Sequence, residues 1–187
     1  MCSLMNKLAE RHIRDIRLLP LLAARITELR FGEIEAWNAL AKWVNSHVNS
    51  APMELLSIVV AGMARNGVEV DCRTAASKLA ERVRRETAPS QNIWLSTIHS
   101  LAFFRALTPE LAESVLNKDF VSQLLQTSQS PGEKIFKAMK LLQINACVEV
   151  DLKDSYAGPR LGFSELEPFI KFDDETVSQQ STLYFIA

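Results

Sequence analysis

Two segments of the chain are apolar on nearly every side of a helix, and each is followed by a helix with only one apolar face. The first segment covers residues 53–66 and the second covers residues 91–107. Their apolar residues recur every three or four positions, which is the spacing of a helical turn. A helix that is apolar all round must be covered by neighbours. The pattern therefore predicts an all-α fold in which buried helices alternate with outer, half-solvated ones.

This alternation has a repeat length. Superposing Leu56 and Ser57 on Leu95 and Ser96 gives a spacing of 39 residues. That spacing lies within the range of helical hairpins that stack into solenoids. We therefore expect a solenoid-like array of helical hairpins, in which each buried helix packs between its neighbours.

The second helix of each hairpin is predicted from its own N-cap residue. The first is predicted over residues 71–87 with Asp71 as its N-cap, and the second over residues 108–116 with Thr108 as cap and Pro109 in the first turn. The first partner helix has a single apolar stripe, formed by Cys72, Ala76, Leu79, Ala80 and Val83.

Further helices are predicted at residues 4–18, 21–29, 33–48, 119–125 and 132–150. The last of them has one predicted apolar face, formed by Ile135, Ala138, Met139, Leu142 and Ala146. Residues 149–187 contain eight acidic residues against three basic ones, together with Gly158-Pro159 and Pro168. We therefore divide the chain into a helical-repeat domain, residues 1–150, and an irregular acidic linker or tail, residues 151–187.

Composition argues against several classes of function. The chain has only six glycines, and it contains no glycine-rich phosphate loop, no nucleophile elbow, no HExxH and no CxxC. Its three cysteines fit neither a disulfide framework nor paired zinc ligands. No apolar run reaches the roughly 18 residues of a membrane span. We expect a protein that is not an enzyme, with no cofactor, no metal site and no membrane insertion.

Several single residues have a structural and a functional interpretation. His99, beside Ser100, is predicted to be a hydrogen-bonded core histidine rather than a catalytic base, because adjacent helical residues do not face each other. Cys72 and Cys147 are predicted to be small core residues. The tryptophans suit either the core or base stacking, and the acidic cluster near residue 150 suits either a solvated helix end or a cation site. The tryptophans are Trp37, Trp43 and Trp94. The acidic cluster consists of Glu149, Asp151 and Asp154.

Basic residues give the clearest functional signal. Lys78, Arg82 and Arg85 stand at i, i+4 and i+7 opposite the apolar stripe, with Arg73 nearby. Rows of Lys and Arg contact nucleic-acid phosphates and make binding salt-sensitive. These four residues are our predicted phosphate contacts. The alternative interpretation is that these basic residues form an ordinary solvent-exposed helix face, on which Glu81 and Glu86 reduce the repulsion between the positive charges. Two further basic rows are Lys134 with Lys137 and Lys140, and Lys7 with Arg11 and Arg14.

Residues 93–161 resemble the FAST kinase domain-containing family (Fas-activated serine/threonine kinase homologues). A buried helix, WLSTIHSLAFF, precedes a short helix ending in ELAESVLNKDF, a loop, and KAMKLLQINACVEVDLKDSYAGPRL. That order is similar to the family's second FAST subdomain, and LLSIVVAGMARNGV is similar to helices of the first. The residues that carry the likeness are Leu141, Leu142, Ile144, Asn145, Glu149, Tyr156, Gly158, Pro159 and Leu161.

The resemblance implies a non-catalytic, mitochondrial RNA-associated protein that acts in processing, stability or translation of mitochondrial mRNA. Its expected partners are single-stranded RNA and other RNA-processing proteins. Its expected location is the matrix, although residues 1–17 make a weak presequence and a cytoplasmic location stays open. Family members usually also carry a RAP domain, so we expect a fragment, an alternative product or a truncated paralogue. The alternative function is a protein-interaction scaffold that never contacts RNA.

Overall fold

The computed structural model describes residues 34–66, 70–162 and 164–166. These residues form seven α-helices and one short 3-10 helix, without a strand among them, so the predicted all-α class is confirmed. The helices predicted at residues 4–18 and 21–29 lie outside the described residues. The α-helices are α1 (Ile34–His47), α2 (Met53–Arg65), α3 (Val70–Arg82), α4 (Gln91–Phe103), α5 (Pro109–Leu116), α6 (Lys118–Gln126) and α7 (Pro131–Asp151), and the 3-10 helix is Arg85–Thr87.

The helices stack as the repeat predicts. Helix α4 packs against both α2 and α7, while α3 packs against α1 and α2, and α5 packs against α4 and α7. The repeat positions Leu56 and Leu95 are both buried in the core. Trp94 joins the second hairpin, because its indole nitrogen donates a hydrogen bond of 3.0 Å to the Ser114 hydroxyl. No helix of the described part of the chain is long and apolar enough to cross a membrane.

Side-chain caps start several helices, and the cap at Thr108 is the one that the sequence predicts. The Thr108 hydroxyl accepts a hydrogen bond from the Leu111 amide, and Pro109 occupies the first turn of α5. Ser90, Asn117 and Ser130 cap α4, α6 and α7 in the same way. Each cap satisfies an amide that has no partner within its own helix.

Helix α4 ends four residues earlier than its apolar pattern predicts. Arg105 has a φ of 55°, in the left-handed region. The Ala106 amide donates to the Leu101 carbonyl and the Arg105 amide donates to the Ala102 carbonyl. This is a Schellman motif, which normally places glycine at the left-handed position. An arginine there gives no stop signal in the sequence.

The boundaries of α3 also differ from the prediction. The helix begins at Val70, so Asp71 lies within it rather than at its N-cap, and it ends at Arg82 before the separate 3-10 turn. Its predicted stripe is confirmed, because all five residues from Cys72 to Val83 that form it are buried.

The predicted apolar face of α7 is only partly confirmed: Ala138 is buried, and Ile135 and Leu142 are partly buried. Met139 and Ala146 are exposed, while the buried side is formed by Lys137, Ala138, Leu141, Ile144 and Val148. The buried side includes one charged residue, Lys137. Its ammonium lies 2.7 Å from a Glu133 carboxylate oxygen and donates to the Leu124 carbonyl and the Ser128 hydroxyl. Buried charges are tolerated when they are paired in this way.

Residues 156–161 form a compact turn that is hydrogen-bonded to α7. The Tyr156 hydroxyl donates to the Pro159 carbonyl at 2.8 Å, and the Leu161 amide donates to the Asn145 side-chain oxygen at 2.9 Å. A Cβ atom at Gly158 would lie 2.7 Å from the Tyr156 side chain, so a larger residue would have to displace the ring that bonds to Pro159. Tyr156 and Leu161 are buried in the same core as the helices. The core therefore continues past residue 150, where we had divided the chain.

Candidate functional site

The four predicted phosphate contacts have different surroundings. Arg73 and Lys78 are exposed on α3. The Arg82 guanidinium donates to the carbonyl oxygens of Val48 and Ala51, with a distance of 2.8 Å to Ala51. It thereby closes the turn between α1 and α2.

Arg85 belongs to the 3-10 turn, where its guanidinium carbon lies 4.9 Å from the centroid of the Phe120 ring on α6. Arg82 and Arg85 therefore contact neighbouring elements, although Arg85 is exposed like Arg73 and Lys78. Their role as phosphate contacts stays a prediction.

The lysines of the second basic row, Lys134, Lys137 and Lys140, do not share one environment. Lys137 is the buried member of an ion pair, whereas Lys140 lines a cleft on another face of the molecule. This three-helix cleft lies across α2, α4 and α7 and has a volume of about 550 Å³. That volume is within the range of roughly 300–1,000 Å³ that is usual for ligand sites.

The charge of the three-helix cleft is of one sign. The cations Arg65, from the end of α2, and Lys140, from α7, line it beside His99 from α4, and none of its described lining residues is acidic. Arg65 and Lys140 are close enough to affect each other, because the Arg65 charge helps to lower the pKa of Lys140. Like charges held together without a carboxylate favour an anion from outside.

Lys140 is the best-positioned cation of the cleft. Its ammonium donates to the Ser96 hydroxyl at 2.8 Å and lies 4.5 Å from the centroid of the Phe136 ring. Burial, and secondarily the charge of Arg65, lowers the pKa of Lys140 to about 8. At pH 7 the side chain is still mostly protonated, so it is a desolvated cation that an anionic ligand would stabilise.

His99 is half-buried and hydrogen-bonded, as predicted, but it lines the cleft rather than lying in the core. Its Nε2 atom contacts the Gln143 side-chain oxygen. Burial lowers the pKa of His99 most, the hydrogen bond to Gln143 raises it, and Lys140 and Arg65 lower it further. The imidazole is therefore mainly neutral at pH 7. Nothing in this geometry pairs it with Ser100, whose hydroxyl donates to the Ser96 carbonyl.

Large apolar side chains at the edge of the cleft are exposed to solvent. Phe103 is 48% exposed, Phe136 is 43% exposed and Met139 is 44% exposed. All three line the cleft. Exposed aromatic rings beside Lys and Arg are the combination with which proteins hold single-stranded nucleic acids, through base stacking and phosphate contacts.

Sequence reasoning missed this cleft because it treated α2 and α4 as fully buried. Ile58 and Ser96 are only partly buried, and Phe103 is exposed, so no helix of the described residues covers one face of both helices. A signal was present in the repeat itself. The superposed residues Ser57 and Ser96 both line the cleft, and a polar residue at the same place in two apolar helices marks a shared, open face.

The remaining candidates have structural environments. The tryptophans Trp37, Trp43 and Trp94 lie in the core, as the first of their two interpretations predicts. Cys72 is buried in the core as predicted, whereas Cys147 is only partly buried, and burial raises the pKa of its thiol. Within the described ranges, no group of His, Cys, Asp and Glu could hold a metal ion.

Comparison with known proteins gives no relative from which a function could be transferred. No protein-family model, no curated protein and no solved structure matches the chain. The likeness of residues 93–161 to the FAST kinase domain-containing family therefore stays a prediction.

Proposed function

We propose that the chain is a non-catalytic helical-repeat module that binds single-stranded RNA through the three-helix cleft. The observation that carries the proposal is the convergence of Arg65 and Lys140 on one cleft whose described lining has no carboxylate. RNA supplies the missing anion as phosphate, and its unpaired bases supply flat rings for the exposed side chains of Phe103 and Phe136.

The resemblance to the FAST kinase domain-containing family supports the same class of ligand. On that basis the RNA would be a mitochondrial transcript and the place of action the matrix. The cleft offers a binding surface without a nucleophile–base pair, so its role would be to hold RNA for other proteins rather than to cut it.

The test is the salt dependence of RNA binding, measured by fluorescence anisotropy with a labelled single-stranded RNA. Each phosphate neutralised contributes about −0.7 to the slope of log K against log salt between roughly 50 and 200 mM. Replacing both cations, as Arg65→Gln with Lys140→Gln, is expected to weaken binding and to make the slope shallower by about 1.4.

The matched control is Lys42→Gln with Lys153→Gln. Both lysines are exposed and lie outside the cleft, and the double variant has the same net charge as the cleft variant. Equal losses in the two double variants would mean that only net charge matters. Absence of RNA binding at low salt would favour the protein-interaction scaffold.

A further inference from the structure

The lining of the three-helix cleft includes a buried polar group for which the described residues provide no hydrogen-bond partner. Ser57 lines the cleft and is only 3% exposed, and its hydroxyl oxygen makes no hydrogen bond within the described part of the chain. A buried hydroxyl without a hydrogen bond is costly, and such groups are rare in folded proteins. A ligand that reached this hydroxyl would remove that cost.

The repeat provides an internal comparison. Ser96 occupies the position of α4 that Ser57 occupies in the 39-residue superposition, and it too lines the cleft. The Ser96 hydroxyl accepts a hydrogen bond from the Lys140 ammonium at 2.8 Å. Among residues 34–66, 70–162 and 164–166 no such donor reaches Ser57, so the same kind of site is satisfied in one repeat and left open in the other.

We infer that the three-helix cleft holds one unpaired nucleotide of a bound RNA strand, with its phosphate against Arg65 and Lys140 and an edge of its base hydrogen-bonded to Ser57. This inference rests on the proposed function and adds the position at which a base is inserted. The exposed rings of Phe103 and Phe136 supply apolar contacts for the base. Ser57 and Arg65 are eight residues apart on α2, about 12 Å along the helix axis, and the long arginine side chain shortens that span.

A nucleotide is the ligand class that uses all three features together. The two cations attract an anionic group such as the phosphate. The exposed aromatic rings stack on a flat ring such as the base, and the Ser57 hydroxyl can form a hydrogen bond with the edge of that base. A serine hydroxyl both donates and accepts, so it contacts any of the four bases. The expected gain is therefore in affinity for an accessible base rather than in strict sequence preference.

The experiment uses two variants of the cleft lining. Ser57→Ala removes the hydroxyl and leaves no unpaired group, so folding is not at risk. Ala61→Leu fills the cleft between Ser57 and Arg65 with a good helix former. Its control is Ala146→Leu, because Ala146 is exposed on α7 outside the cleft. Thermal melting of every variant checks the fold.

Binding is measured with four probes: single-stranded RNA, double-stranded RNA, inorganic polyphosphate and a free nucleoside monophosphate. Ser57→Ala is expected to weaken single-stranded RNA binding about 2- to 12-fold, the equivalent of one neutral hydrogen bond. Ala61→Leu is expected to weaken it more. Neither variant is expected to change polyphosphate binding or the salt slope, whereas Arg65→Gln lowers affinity for both polymers.

The outcomes separate this inference from the proposed function. If wild-type protein binds RNA with the expected salt slope but Ser57→Ala and Ala61→Leu bind it equally well, base insertion is wrong and the RNA function stands. If the free monophosphate saturates the cleft and RNA binds no more tightly, the occupant is a free nucleotide and the RNA part of the inference is overturned. If RNA does not bind at all, the proposed function itself fails.

Discussion

Removing the charge of Lys140 is expected to stabilise the protein near neutral pH. The ammonium is half-buried beside Arg65, and its pKa is lowered from 10.5 to about 8. Lys140→Met keeps a side chain of similar length without the charge. The variant tests whether the cleft carries a desolvated cation in the absence of RNA, a cost that a protein tolerates where function needs it.

The sign follows from proton linkage. Between pH 8 and pH 10.5 the unfolded chain holds the Lys140 proton while the folded protein releases it, so the free energy of unfolding rises with pH across this window. A shift from 10.5 to about 8 corresponds to about 3 kcal/mol when the group is fully charged in both states. We reduce this to about 2 kcal/mol because the side chain is partly exposed to solvent.

The assay is urea denaturation of wild type and Lys140→Met at pH 7 and pH 10. Burial raises the pKa of Cys147 and of Tyr156, so these groups lower stability at high pH, but they do so equally in both proteins. The stability of wild type relative to the variant is expected to increase by about 2 kcal/mol from pH 7 to pH 10. A difference that does not change with pH would refute the reasoning, as would a pH effect of the same size in the exposed control Lys153→Met.

Three further predictions concern single residues: Arg105 at the end of α4, Arg82 on α3 and Asn145 on α7. Arg105→Gly is expected to raise the free energy of unfolding by about 1 kcal/mol, because glycine adopts the left-handed backbone of that position without strain; a loss of stability in thermal melting would contradict it. Arg82→Ala is expected to cost about 2 kcal/mol of stability by urea denaturation and little RNA affinity, since its guanidinium holds two carbonyls; lost affinity at unchanged stability would instead assign it to RNA. Asn145→Ala is expected to cost about 1–3 kcal/mol by leaving the Leu161 amide unpaired, and unchanged urea denaturation would disprove that role.

The fold was predictable where local chemistry and tertiary packing agree. The Thr108 cap and Pro109 define the start of α5 in any context, and the apolar stripe of α3 is buried as its spacing requires. Predictions from the apolar pattern failed where one residue has a backbone conformation or a burial that is unusual for its type. Arg105 ends α4 in a conformation usually given to glycine, and Lys137, whose charge is paired with Glu133, lies on the buried side of α7, where the sequence pattern predicts only apolar residues.

The candidate site was less predictable than the fold because it depends on three helices that are distant in sequence. Arg65 and Lys140 are 75 residues apart, and each has an ordinary position on its own helix. The basic pattern on α3 was visible only because its members are close in sequence. Helical spacing does not reveal that Arg82 reaches the carbonyls of the preceding turn.

The most direct test of the cleft as the RNA site is photo-crosslinking to a single-stranded RNA that carries a photoreactive base, followed by mapping of the modified peptides. Adducts are expected on Phe103, Phe136 or Met139, the exposed large apolar side chains of the cleft, and they are expected to disappear in Arg65→Gln with Lys140→Gln. Adducts confined to α3, near Arg73 and Lys78, or adducts that persist unchanged in the double variant, would contradict the account.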